Sequence, residues 1–466
     1  MNDKLGEGAH PESVDLMIVG PDIVTMNAQR SVIRQGAIAV RDGRIVWLGR
    51  AGDADGRFTW RERLSGMGRI ALPGLIDTHF HTGQQLLRGK VIQLARQRQL
   101  RLPIWRNYLI PFESVLSPDD VHLSAQVAYA NMLSVGTTCF AEAGGPHPDE
   151  MGRAAEEMGI RAILALSTLD QGDDIPRSMR LTTRRAIDEN VALIKQWNGT
   201  AEGRVQAWLA LRQLLVCSEE LWEAFRDLAD ELGVRIHIHL AEGTYEVDFA
   251  TERWGKRPVQ RLEQIRMLGP RLHAAHSILL SDDELELFAT RHPTVAHCPM
   301  GNFIIGPPRV PEMRRLGVAV GVGSDGASNG SIDLFQAMHV SSVALQSHYG
   351  TPWHARSVLS PEDALDMATI GGARALGLED KLGSLEVGKR ADLLLIDPQT
   401  WDLGPVYDPM FTAAQGASGA NVRTVLVAGE VLMKDRELLT VDEEALRARL
   451  GETSHAIMTR FEDLVP

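Results

Sequence analysis

The chain has 466 residues, of which 44% are hydrophobic and 23% charged, with a formal net charge of -13 at pH 7. That length can bury a large core, either as two or three domains or as one barrel with a satellite. An acidic balance with no Lys/Arg block argues against a nucleic-acid partner, and no apolar run reaches membrane-spanning length, so a small-molecule partner is expected.

The segment Met1 to Ser13 is polar and acidic and lacks the charged-then-apolar pattern of a secretion signal, which makes a cytoplasmic location the expectation. Residues 15 to 49 read as short strands: Leu16 to Val19, Ala37 to Val40 and Ile45 to Leu48, with Asp42-Gly43 as a hairpin turn between the last two. A similar texture returns in Ala391 to Asp397 and Val422 to Val431. Each end is small for a core of its own, so the two together predict one composite β-sandwich domain.

Between the ends, short apolar runs alternate with helical stretches. The runs are Ile76 to His81, Thr137 to Phe140, Ile163 to Leu166, Val205 to Leu211, Val234 to Leu240, Leu272 to His276, Thr294 to His297 and Val318 to Val322. Helices are expected over Pro118 to Leu133, Ser218 to Leu232, Ser281 to Thr290 and Pro361 to Ala375, several opening on a capping residue followed by first-turn acids. This alternation predicts an α/β chain built as a (β/α)8 TIM-like barrel. The expected division is 1–72 and 381–440 for the β domain, 73–380 for the barrel and 441–466 for a closing helix.

The three cysteines, Cys139, Cys217 and Cys298, lie far apart with no CxxC, which points to reduced, mostly buried thiols. Any metal must therefore be held by histidine and carboxylate. On a strand, residues two apart share a face, so His79 and His81 can reach one ion; alone, that pair is weak evidence. In a barrel of this kind the chemistry sits at the C-terminal ends of the strands. That filter retains His79, His81, His239, His276 and His297, together with Asp325 directly after the last run. Three imidazoles (His79, His81, His239) and the Asp325 carboxylate make a shell suited to Zn²⁺ or a similar divalent ion. Asp325 is then placed to accept a proton from an attacking water, Glu242 to carry a proton to substrate, and His276 to polarise the oxygen that becomes an oxyanion. His237, one layer deeper than His239, reads as a hydrogen-bonded inner residue. Candidate substrate contacts are Gln84, Trp105, Arg212, His297 and Asn302; for Trp105 helix packing is an equal reading, and for His297 a structural hydrogen bond is.

These residues sit in ordered motifs: Leu72 to His81, Leu86-Leu87-Arg88-Gly89, Gly136-Thr137-Thr138, His239 with Glu242, Ala275-His276, His297-Cys298-Pro299, Gly323 to Asn329, and Gly383 to Leu393. Together they resemble the amidohydrolase superfamily over almost the whole chain, within it the group of guanine, cytosine and S-adenosylhomocysteine deaminases and triazine hydrolases. The resemblance implies His79, His81, His239 and Asp325 as ligands of a single ion (zinc foremost; iron, cobalt or manganese as alternatives), Glu242 and His276 as catalytic groups, and a homo-oligomer. It implies hydrolytic deamination of an amino-substituted N-heterocycle. Hydrolysis of an amide, urea, carbamate or halogenated ring is the alternative, and a non-catalytic scaffold a more distant one. Two departures bear on the pocket. Arg212 stands where a substrate-facing histidine is usual in nucleoside deaminases of the group, which points away from an adenosine-type substrate, and Gly301 stands where serine is usual.

Overall fold

The computed structural model describes residues 11–464, so the first ten positions of the segment read for a secretion signal lie outside the described residues. The chain is mixed α/β, with two parallel sheets in its middle. One runs in the order Val205–Ala207, Arg161–Leu164, Thr137–Glu142, Leu75–Phe80, and the other Leu209–Leu211, Ile236–Leu240, Leu272–His276, Thr294–His297, Val320–Val322. Two seams bring the sheets together. At the first, the Trp208 amide donates to the Leu164 carbonyl at 2.9 Å, so the expected run Val205 to Leu211 becomes two short strands, one in each sheet. At the second, Thr78 Oγ1 donates to the Val322 carbonyl at 3.0 Å and the Asp325 amide to the His79 carbonyl at 3.0 Å. Close approach at this seam needs glycine: a Cβ on Gly321 would lie 2.3 Å from Thr78 Cγ2.

Helices follow the strands largely as the caps predict. Pro118–Ser134, Glu219–Leu232 and Asp282–Arg291 begin after Ser117, Ser218 and Ser281, each of whose hydroxyls accepts an amide of the first turn. The stretch Pro361 to Ala375 differs: it is two helices, Pro361–Ala368 and Ile370–Leu376, broken at Thr369. The Thr369 hydroxyl bonds back to the Leu365 carbonyl at 2.6 Å, the local competition with helical geometry that threonine offers. The turn of direction lets Gly372 pack within 3.2 Å of Ile76 Cβ, measured from where its own Cβ would stand.

Both ends of the chain meet in one seven-stranded sheet, in the order Glu437–Leu438, Glu430–Lys434, Val422–Val427, Leu393–Ile396, Ile70–Pro73, Asp22–Val24, Val32–Ile33. Val422 to Val431 is thus a hairpin, turning at Ala428-Gly429 where both residues have positive φ. A four-stranded sheet, Arg44–Arg50, Gly36–Arg41, Glu12–Val19, Phe58–Ser65, carries the Asp42-Gly43 turn, again with φ positive at both residues. Leu16, Ile38 and Val40 of this sheet share a hydrophobic cluster with Ile23, Ala71, Leu393 and Leu426 of the other. The closing helix, Glu443–Glu462, packs Phe461 edge-on against Phe112.

The terminal sheet is clipped to the parallel one by a buried bidentate pair, Arg161 Nε and Nη2 to the Asp392 carboxylate at 2.9 and 3.0 Å, and Asp392 also accepts the Ala428 amide at 2.8 Å. Removing one partner leaves a buried charge unpaired. Asp392→Ala should cost about 3–5 kcal/mol in urea unfolding, whereas the double variant Arg161→Met/Asp392→Leu should recover most of it; an unchanged midpoint in Asp392→Ala would show that the clip carries no stability.

Candidate active site

At the C-terminal ends of the parallel strands, five imidazoles and two carboxylates crowd into a buried space. His79 comes from Leu75–Phe80, with His81 one residue past its end; His239 comes from Ile236–Leu240, and His276 and His297 end their strands. The His79, His81 and His239 rings lie with centroids 4.8 to 5.2 Å apart. Asp325 Oδ1 is 3.2 Å from His79 Nε2, 3.8 Å from His81 Nε2 and 4.0 Å from His276 Nε2. His81 Nε2 and His239 Nε2 face each other at 3.1 Å. Donor atoms of His79, His239 and His276, of His79, His81 and Asp325, and of His276, Cys298 and Asp325 form groups compact enough to share an ion.

The protonation of this cluster can be read from its bonds. His237 Nδ1 lies 3.0 Å from the Glu142 carbonyl, which only accepts, so Nδ1 carries the proton. His237 is neutral, because burial first and neighbouring imidazoles next push it well below the usual histidine range. Its Nε2 is therefore an acceptor and takes the proton of His79 Nδ1 at 2.8 Å. His79 Nε2 is left with a bare lone pair and, among the described residues, no hydrogen-bond partner. Burial likewise holds His79, His81 and His239 neutral. His276 differs: burial opposes its charge, but the Glu242 and Asp325 carboxylates and Asn302 together hold it above its ordinary value.

Asp325 is fixed from three sides. Its amide bonds the His79 carbonyl, Asn329 Nδ2 donates to its Oδ2 at 2.7 Å, and the preceding Ser324 donates its amide and hydroxyl to Asp77 at 3.0 and 2.6 Å. Asp77 also accepts the His79 amide at 3.2 Å, so one buried carboxylate ties both seam partners. Asp325 and His276 have φ of 65° and 67°, uncommon for residues with a side chain and sustained here by the surrounding bonds. Gly301, the residue where serine was expected, leaves room for Asp325: a Cβ there would lie 2.4 Å from Oδ2.

The remaining candidates fall around this cluster. Asn302 bridges two histidines, with Oδ1 2.9 Å from His276 Nδ1 and Nδ2 3.1 Å from His297 Nδ1. Arg212 is buried and paired with a carboxylate. It is 2% exposed, and its Nη1 reaches Glu113 Oε2 at 2.9 Å and Oε1 at 3.2 Å. Gln84 supports the same pair, donating to Glu113 at 2.9 Å while accepting the Ser328 hydroxyl at 2.7 Å. Trp105 is buried and donates its indole N–H to the Tyr245 oxygen at 3.0 Å. Glu242 accepts from Tyr245 and from Gln213. Sequence reasoning gave no role to Asp77, Glu113, Gln213, Tyr245 or Asn329. Of these, only Tyr245, three residues after Glu242, stood near a predicted site residue in the chain.

Residues 70–432 match the model of the amidohydrolase family. The chain belongs to that family. It is accordingly a metal-dependent hydrolase acting on carbon–nitrogen bonds. It is 35% identical over 446 residues to a 5-methylthioadenosine/S-adenosylhomocysteine deaminase of Symbiobacterium thermophilum, covering 94% of this chain and 98% of that one. It is 34% identical over 385 residues to a 5'-deoxyadenosine deaminase of Methanobrevibacter smithii, covering 81% and 84%. Among solved structures, an adenosine deaminase of Xanthomonas campestris with bound zinc superposes with a TM-score of 0.89 at 29% identity, over 96% of this chain and 100% of that one.

Glu246, fully buried below Glu242, accepts the Glu242 amide at 3.0 Å through Oε2. Burial pushes its carboxyl up to about 8 from 4.5. Between those values the folded chain holds a proton that the unfolded chain has released, so stability falls as pH rises through that window and levels off above it. Glu246→Gln, which keeps shape and cannot ionise, should flatten this part of the pH dependence when urea midpoints are compared at pH 5 and pH 8. An unchanged slope would mean that Glu246 is ionised when folded.

Proposed function

We propose that His79, His81, His239 and Asp325 hold one divalent ion, zinc foremost and iron, cobalt or manganese as alternatives, in an enzyme that hydrolytically deaminates an amino-substituted N-heterocycle. The donor set fits such an ion. Neutral imidazoles, one with a bare lone pair that no group among the described residues satisfies, surround a carboxylate oxygen in a buried space. That convergence is the observation that carries the reading, and the zinc named with the Xanthomonas campestris structure supports it. We further infer that the parallel strands curve into a (β/α)8 barrel spanning 73–380, with 1–72 and 381–440 as the composite β domain and 441–466 as a closing helix. The buried, unpaired cysteines support a cytoplasmic location, and the relatives' names support a small-molecule substrate.

When bound, the ion supplies a water acidified toward neutral pH. Asp325 accepts a proton from the attacking water. Glu242, fixed beside the cluster but outside it, passes the other proton of that water to the ring nitrogen next to the amine-bearing carbon as the carbon–oxygen bond forms; it then carries the proton held by Asp325 to the amine, and the carbon–nitrogen bond breaks with ammonia leaving. His276, favoured in its charged form, hydrogen-bonds the oxygen that gains negative charge. Asn302 keeps His276 turned toward Asp325. Arg212 and Glu113 present a neutralised pair rather than a free cation to whatever part of the substrate reaches them, which relaxes the expectation against an adenosine-type substrate. The names of the relatives make 5′-modified adenosines the first candidates.

The direct test is ammonia release by zinc-loaded protein from 5′-methylthioadenosine, S-adenosylhomocysteine and 5′-deoxyadenosine, then from amino-purines, pterins and triazines, with Asp325→Asn as the blank. Release above the blank is expected; silence throughout from zinc-loaded protein would contradict deamination. Glu242→Gln should retain zinc and lose roughly 10²- to 10⁴-fold in kcat, while Asp325→Asn should lose both zinc and turnover. Full activity in Glu242→Gln would refute the proton-carrying assignment.

A further inference from the structure

Around Glu242 the hydrogen bonds form a closed pattern. Gln213 Nε2 and the Tyr245 hydroxyl both donate to one oxygen, Oε2, the latter at 2.9 Å. The Tyr245 oxygen itself accepts two N–H groups, Trp105 Nε1 at 3.0 Å and Gln213 Nε2 at 3.3 Å. A phenol has one proton and two lone pairs, so with both lone pairs taken the proton must point at Glu242. The Gln213 amide is also fixed in orientation, because flipping it would set its oxygen against the carboxylate. Three elements meet here: the segment after the first parallel strand through Trp105, the loop after Leu209–Leu211 through Gln213, and the helix Thr244–Trp254 through Tyr245.

We propose that Tyr245 and Gln213 are positioning residues for the proton carrier, clamping Glu242 through Oε2 so that Oε1 is the oxygen that takes and gives the proton, with Trp105 orienting the Tyr245 hydroxyl. This rests on the reading of Glu242 as proton carrier. With Oε2 engaged by two donors, a proton arriving on the carboxylate finds its free lone pairs on Oε1, so each transfer starts from one fixed atom. The titratable groups facing Glu242 are Tyr245 and Glu246 of the helix that follows it, His276 at the end of Leu272–His276, and Cys298 just past Thr294–His297. Burial raises the Tyr245 phenol and the Cys298 thiol, so both stay protonated at and below neutral pH, and Glu246 is unionised there as well.

The experiment compares zinc-loaded wild type, Tyr245→Phe, Gln213→Met and Glu242→Gln, with 5′-methylthioadenosine as probe, recording zinc content, kcat and KM. Tyr245→Phe removes one oxygen atom from a packed ring and preserves the fold. Its zinc content and KM should match wild type, while its kcat should fall about tenfold, a part of the roughly 10²- to 10⁴-fold that a positioned acid–base group supplies. Gln213→Met should change kcat in the same direction with zinc content and KM unchanged. Wild-type kcat in Tyr245→Phe, alongside an inactive Glu242→Gln, would overturn the clamp while leaving the proton carrier in place. An active Glu242→Gln would bring down both.

Discussion

The site depends on keeping several imidazoles dry, uncharged and aimed. Burial removes the water that would stabilise a charged ring, and it does so for His79, His81, His237 and His239 together. Neutral histidines still have two tautomers, and only one leaves the correct nitrogen free. The relay from the Glu142 carbonyl through His237 to His79 selects it, because a carbonyl can only accept and each proton along the line is thereby assigned. His237 thus acts on His79 from one layer below, as the inner residue its place in the strand predicts.

The fold's contribution is to bring chain-distant groups to this point and hold them there. Asp77 does so for the seam between Leu75–Phe80 and the loop carrying Asp325, accepting from both sides. Burial raises its carboxyl to about 7, and the donors from Ser324 and His79 pull in the opposite direction. Around the rim, bonded sets divide the labour: Asn302 with His276 and His297, Arg212 with Glu113 and Gln84, and Gln213 with Tyr245 and Glu242. Each set joins residues from different strand ends or the loops beyond them, so the rigid parallel sheets set the spacing and the loops supply the chemistry.

The parts legible in the sequence are those with a local signature. Histidines at the ends of apolar runs, an acid three residues after one of them, capping serines and Asp-Gly turns are all short-range patterns, and the fold places them as those patterns imply. What escaped is pairwise and long-range. Asp77 is one polar residue in a strand until Ser324, 247 positions later, reaches it. Arg212 reads as a candidate substrate contact, and its partner Glu113, 99 positions earlier, has no local signature. The run Val205 to Leu211 looks continuous, and only the pairing of its halves with different sheets divides it at Trp208. The helix broken at Thr369 is the same case, since Gly372 packing on Ile76 is invisible to periodicity.

In the proposed site one ion sits among histidine nitrogens and the Asp325 carboxylate, with Cys298 excluded although it lies within reach of the same cluster. X-ray absorption at the zinc edge of the loaded protein, with metal content measured on the same sample, reads out this shell. One zinc per chain with only nitrogen and oxygen neighbours is expected. Two ions per chain, or a sulfur neighbour, would overturn the proposed site.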